Sequence, residues 1–239
     1  MIMWSSKTGR RSKPGWKYRI LRWIFLLLLG VAFLGVLVVL PWRWMAPPTS
    51  AFMLAEYWQS DSEIDYRWTP FERISSQLAI AVVASEDQKF PVHYGFDLDS
   101  IMDALSSRQK RVRGASTISQ QVAKNLYLWG GRSYLRKGIE AYLTLLIESL
   151  WPKQRILEVY LNVAEFAPGI YGAEAASQRL FGKPANRLTL HESSLLAAVL
   201  PNPKRMRVTP PSDYVSSRAQ DIRREVRRLG GPPYLTFLQ

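Results

Sequence analysis

The chain has no cysteine among its 239 residues. That excludes a disulfide framework, thiol catalysis and cysteine-ligated zinc. An oxidising compartment stays open, because a large enough core needs no covalent staples. Histidine is scarce too, with only His93 and His191. HESSL lacks the second histidine of H-E-x-x-H, so zinc proteolysis has no support. Ser107-Arg-Gln-Lys110 fits S-x-x-K but has neither an S-D-N nor a K-T-G partner, so the match is chance. Acids are outnumbered, 19 against 32 basic residues, for a net charge of +13. Strand signals are few, and no internal repeat is visible.

The positive charge is unevenly spread. Residues 1–22 carry Lys7, Arg10, Arg11, Lys13, Lys17, Arg19 and Arg22 with no acid, so the remainder is only moderately basic. Directly afterwards, Trp23 to Leu40 reads WIFLLLLGVAFLGVLVVL, without a charge. As a helix rising ~1.5 Å per residue it would span roughly 27 Å, close to the ~30 Å hydrocarbon core of a bilayer. Trp23 and Trp42-Arg43-Trp44 sit where interfacial aromatics are expected. Basic residues before an apolar run read as a topology signal rather than a nucleic-acid site, so no nucleic-acid partner is expected. The positive-inside rule puts the N-terminus in the cytoplasm and the rest outside. A cleaved signal peptide fits less well, since its apolar region is usually ~7–15 residues and ends at a small-residue site. The expected organisation is a basic tail (1–22), a transmembrane helix (23–42), a membrane-proximal connector (43–75) and a catalytic domain (76–239).

The connector holds Pro41, Pro47, Pro48 and Pro70 nearby and lacks long periodicity, so partial order is expected. Beyond it helical patterns dominate, and the domain reads as mainly α. Ser76–Glu86 is an apolar helix with Ser75 or Ser76 as N-cap. Thr117-Ile-Ser-Gln120 matches a capping box. Tyr134–Trp151 is a long helix stopped by Pro152, and Lys153–Val163 follows with Ile156, Leu157, Tyr160 and Leu161 as its buried stripe. Tyr171–Leu180 and His191–Leu200 are shorter. The stretch 106–114, SSRQKRVRG, is basic, ends in glycine and is expected to be mobile without ligand. IRREVRRL (222–229) reads as a solvated helix face.

Several polar residues then fall at spacings that share a face. Gln121, Lys124 and Asn125 stand at i, i+3 and i+4, and Lys137 and Glu140 at i, i+3. Arg132 lies in a Gly-Gly-Arg-Ser turn between them, and Glu86 ends the apolar helix. Carboxylates among cations suit transfer of a group from an anionic leaving group. One carboxylate takes a proton from an alcohol, and the cations receive the negative charge of a departing phosphate. Taken singly, each piece also has a plainer reading. Lys137/Glu140 reads as a surface pair, Gln121/Lys124 as a solvated face, Glu86 as a helix-end carboxylate, and His93 and His191 as structural.

Five ordered segments go further. EDQKFPVHYGFD resembles the E-D-x-x-F-x-x-H-x-G-x-D signature of the peptidoglycan glycosyltransferases. GASTISQQVAKNL, RKGIE, KQRILEVYLN and HESSLLAAVLPNP are similar to that family's second to fifth motifs. Ala115, where many relatives have glycine, and Pro168 in EFAPGIYG are departures that bear on loop geometry. The chain runs only a little past the fifth motif, so a monofunctional member without a transpeptidase domain is expected.

The resemblance implies a lysozyme-like helical glycosyltransferase domain behind a single N-terminal transmembrane helix. It implies polymerisation of lipid II at the inner, cytoplasmic membrane, with the catalytic domain periplasmic and undecaprenyl pyrophosphate leaving. Glu86 would be the general base. Glu140, Lys137, Lys124 and Arg132 would assist the departing pyrophosphate, directly or through a divalent cation, Mg or Mn. Gln121 and Asn125 would line the donor site. Asp87 would support Glu86, with Phe90, His93, Ser116 and Thr117 around it, and Glu158 with Asn162 would buttress the cleft. Expected partners are lipid II, the growing glycan-lipid, the membrane and proteins of cell-wall assembly. Two rivals remain at this point, a lytic peptidoglycan hydrolase and a non-catalytic anchored scaffold.

Overall fold

The computed structural model describes residues 16–59, 63–99, 102, 116–131 and 133–238. Arg132 and the basic stretch 106–114 fall outside them. The described part up to Val38 is one unit, and the chain from Val39 onward is another. The mainly α expectation holds, with nine α-helices among the described residues.

Helix α1 (Trp16–Val39) supplies the described part of the first unit up to Val38, and a 3-10 turn over Leu40–Arg43 follows it in sequence. Together these form a 28-residue segment with a mean hydropathy of 3.0 in its most apolar window. Phe25, Leu27, Leu28 and Phe33 are exposed along it. By length and composition it can cross a membrane. The helix begins before the apolar run does, because Lys17, Tyr18 and Arg19 continue a helical backbone without being hydrophobic.

In the second unit, α3 (Ser76–Glu86) and α8 (Leu190–Val199) are apolar on every side and form the centre. Leu78 to Ala84 and Ser193 to Val199 are buried without a break. A helix buried all round needs no amphipathic stripe, and alanines at 79, 81, 197 and 198 help these backbones approach. The two pack on each other and on α9 (Asp213–Arg228). A second layer is built by α4 (Ile118–Tyr127), which packs on α5 (Tyr134–Leu150) and α6 (Lys153–Val163).

Helix starts follow local chemistry. Ser75 caps α3 by accepting from the Gln77 N–H, and its own hydroxyl donates to Leu188 O at 2.8 Å. Thr117 and Gln120 form the expected capping box. Thr189 and Glu192 form a second one, so α8 starts at Leu190. Instead of opening the next helix, Tyr171 lies in a strand, and α7 spans Ala173–Phe181.

The small sheet has strand order β1-β3-β2, with β1 (Asp65–Tyr66) parallel to β3 (Ile170–Tyr171) and β2 (Glu165–Ala167) antiparallel to it. Gly172 separates β3 from α7 at φ +87°, where a Cβ would lie 2.7 Å from Asn162 O. Only glycine makes that turn against the end of α6.

The connector is more ordered than its prolines suggest. It contains α2 (Ala51–Gln59), β1 and a 3-10 turn at Phe71–Arg73. Long-range anchors supply what local periodicity does not. Arg155 of α6 donates to Trp42 O at 2.9 Å and to Met45 O, pairs with Glu158 at 2.6 Å and stacks over the Trp68 ring.

Candidate active site

Glu86 is the last residue of α3, which carries it out of the core to a side-chain exposure of 13%. Gln121 of α4 donates from Nε2 to Glu86 Oε2 at 3.0 Å. The hydroxyl of Tyr160 on α6 donates to Gln121 Oε1 at 3.2 Å. That second bond fixes which way the amide faces, so its NH2 points at the carboxylate. On the other side, an Arg218 guanidinium nitrogen of α9 stands 3.8 Å from Glu86 Oε1, while its Nε donates to Ala198 O. Burial pushes the Glu86 carboxyl above its ordinary range, and Gln121, Arg218 and Lys124 hold it back.

Asp87 does not face the same way. It is buried, and its Oδ2 accepts the Ile118 backbone N–H at 2.9 Å, satisfying one of the free donors at the start of α4. His93 Nε2 lies 2.9 Å from Oδ1. Asp87 therefore fastens the end of α3 to the start of α4, the two elements that carry Glu86 and Gln121. Thr117 adds a bond to Gly95 O at 2.7 Å. Phe90 is fully buried, packs edge-on against His93 and lies under the ammonium of Lys153 at 4.5 Å. Ser116 is half-buried just before the cap.

The second carboxylate, Glu140, is 2% exposed on α5. Arg136 NH1 meets its Oε2 at 2.9 Å, and Lys137 Nζ meets its Oε1. Both oxygens are thus committed to cations one helical turn back. Burial lowers the Lys124 ammonium pKa; Glu140, the first of the opposing influences, and Glu86 raise it, while Arg136 and Lys137 press it further down. Lys124 also sits 5.5 Å from the centre of the Phe52 ring.

Gln121, Lys124, Asn125 and Tyr160 line a pocket of about 210 Å³, closed on other sides by Phe52, Glu165, Tyr171 and Pro201. Gln121, Lys124 and Asn125 thus share one pocket, Glu86 joins it through its bond to Gln121, and the charges of Glu140 and Lys137 act on Lys124. Glu158 and Asn162 do not line this pocket. Glu158 accepts the Phe71 N–H at 3.1 Å, and Asn162 exchanges bonds with both Thr69 backbone groups at 2.8 and 2.9 Å. They pin the connector across α6.

Among the described residues, the donors around Glu86 and Glu140 form no ready cage for a divalent cation. Among the described residues no group of three His, Asp or Glu side chains converges. Each oxygen of Glu140 is paired with a cation, and Glu86 faces Gln121 and Arg218.

Reading the sequence missed three participants. Arg136 was within reach, because R-K-x-x-E places it at i−4 to Glu140. Tyr160 was assigned to the core stripe, where its ring does pack, and nothing local marks its hydroxyl. Arg218 had no signal at all, since α9 is an amphipathic helix with many arginines.

A family model described as Transglycosylase matches residues 53–227. A "Biosynthetic peptidoglycan transglycosylase" of Shewanella oneidensis is 52% identical over 217 residues, 89% of this chain and 93% of the relative. A protein of the same description from Pseudomonas savastanoi pv. phaseolicola is 53% identical, covering 92% and 96%. One from Xanthomonas oryzae pv. oryzae is 49% identical, covering 98% and 97%.

Proposed function

We infer, from a chain that belongs to the Transglycosylase family and is a peptidoglycan glycosyltransferase of cell-wall biosynthesis, that its substrate is lipid II. The carrying observation is the Gln121-held Glu86 carboxylate near the half-buried ammonium of Lys124.

In this reading Glu86 takes the proton from an acceptor sugar hydroxyl of lipid II. The hydroxyl oxygen forms the new bond to the anomeric carbon of the growing glycan as the bond to the pyrophosphate oxygen breaks. Attack from the face opposite the leaving group converts an α linkage into β. The electron pair leaves on undecaprenyl pyrophosphate, and Lys124, with Arg136 and Lys137 behind it, stabilises the developing charge. Partial burial suits Glu86 to this role, since a raised pKa makes a stronger proton acceptor. Glu140 keeps the cations in position and compensates their mutual repulsion. Asn125 lines the donor side, and Arg132 belongs to the same proposal by resemblance alone. Since the donor set offers no cage for Mg or Mn, no step is routed through a metal.

The anchor helix fits this substrate. Lipid II is confined to a bilayer, and an enzyme confined beside it gains effective concentration. The proposed topology has residues 1–22 in the cytoplasm, a span within 23–42 in the inner membrane, and the connector and domain, 43–75 and 76–239, on the periplasmic side. Proteins of cell-wall assembly are the proposed partners. A lytic hydrolase would leave the cation cluster of Lys124, Arg136 and Lys137 without purpose, since glycan cleavage releases no pyrophosphate.

The experiment is polymerisation of labelled lipid II by the detergent-solubilised chain, wild type against Glu86→Gln. Glycan polymer from the wild type alone is expected. Polymer from both would remove Glu86 from its role, and none from a folded wild type would favour the scaffold.

A further inference from the structure

Glu165 opens β2, two residues past the end of α6, in the EFAPGIYG segment. It lines the same pocket as Lys124 and Asn125, and it is the only acidic residue to do so among those described. Its Oε1 is enclosed and has no hydrogen-bond partner. An unmatched buried oxygen is costly, and such groups in native structures call for an explanation. Burial pushes this carboxyl above its ordinary range; Glu56 adds to that, and Lys204 with the Gly169 backbone opposes it. Lys204 is itself paired with Glu56, so it is shared rather than dedicated to Glu165.

The pocket is therefore polar in a directed sense. One wall offers an ammonium, and another the carboxyl of Glu165, whose enclosed Oε1 meets a ligand once the side chain rotates towards the pocket. A pyrophosphate would be attracted to the first and repelled by the second. A sugar hydroxyl or an amide N–H would meet the opposite preference. We propose that Glu165 is a substrate-positioning residue that accepts a hydrogen bond from a hydroxyl or amide N–H on the saccharide portion of the substrate. The saccharide is thereby held on one side of the pocket while the phosphates lie towards Lys124. This rests on the lipid II reading above. It adds a contact outside the polar residues that Glu86, Gln121 and Glu140 organise.

The test compares the wild type, Glu165→Ala and Glu165→Gln, each as the full chain in detergent. Steady-state polymerisation of lipid II is measured with thermal unfolding and equilibrium binding of fluorescent lipid II. The amide of Glu165→Gln keeps an acceptor oxygen, so this variant serves as the rescue. Glu165→Ala is expected to raise KM and weaken lipid II binding about tenfold, the scale of one hydrogen bond to a charged group. Its kcat is expected to stay within about twofold, and Glu165→Gln to stay within about threefold of the wild-type KM. Unchanged KM and binding in Glu165→Ala would overturn the proposal. So would a loss of kcat alone, or equal losses in both variants accompanied by a lower Tm. A wild type that binds lipid II but does not polymerise it defeats the functional reading only, and the binding ratio still decides for Glu165. A wild type that does neither overturns both.

Discussion

Gln121 holds Glu86 by a bond of 3.0 Å between its amide nitrogen and Oε2, and it does so with its own amide oriented by Tyr160. The donor stabilises the charged carboxylate and so lowers a pKa that burial raises. A general base acts only when deprotonated, so kcat/KM rises as pH increases through this pKa. Gln121→Ala removes the donor and Arg218→Ala the nearby cation. Each is expected to move the acid limb to higher pH and to reduce the rate on that limb several-fold. Tyr160→Phe is expected to move it less, in the same direction. The pH profile of kcat/KM checks all three, and an unmoved limb in Gln121→Ala would count against Glu86 as the titrating base.

Asp87 acts on the fold. Asp87→Asn weakens its bond to the Ile118 N–H and its contact with His93, both in a buried setting. A loss of about 2 kcal/mol is expected, which for a chain of this size lowers Tm by roughly 4–8 °C. Thermal unfolding in detergent measures it. A variant with wild-type Tm and reduced turnover would instead assign Asp87 to the chemistry.

Two glycines in the motifs differ sharply. Gly95 has φ +76°, and a Cβ there would lie 2.7 Å from Thr144 Cγ2. Gly95→Ala therefore combines a disfavoured backbone with a clash and is expected to destabilise by at least about 2 kcal/mol. Gly138, between the cations and Glu140 on α5, has nothing within 4 Å of the same position. Gly138→Ala is expected to stabilise by roughly 0.5–1 kcal/mol through helix propensity. Comparative unfolding of the two variants tests both signs together.

Trp42 and Trp44 were expected to serve the membrane interface alike, and the structure separates them. Trp42 packs against the core and its carbonyl accepts from Arg155, whereas Trp44 is 70% exposed. Trp44→Ala is expected to slow turnover of long-chain lipid substrate several-fold with Tm unchanged. Trp42→Ala is expected to lower Tm, by the ~2–3 kcal/mol scale of truncating a partly buried aromatic. Equal Tm values for both would contradict this division.

Much of the framework was legible because its causes are local. Ser75, Thr117 with Gln120, and Pro152 mark helix starts through bonds and sterics that span at most four residues. The same short range made the Lys137/Glu140 pair visible and would have shown Arg136. The five ordered motifs carry the family, and with it the candidate base and cations, in the sequence alone.

By itself, then, the amino-acid order determined the mainly α class, the apolar anchor helix and the residue types of the site. Only the tertiary structure decided how those residues face one another. Arg218 reaches Glu86 because α9 packs on α3, and Tyr160 reaches Gln121 because α6 packs on α4. The described parts of the connector are held because Arg155, Glu158 and Asn162 bind their backbone from a distant helix. Local spacing encodes capping and periodicity within a few residues. Which carboxylate is buried, and which is paired with cations, depends on neighbours far along the chain, and only packing brings those together.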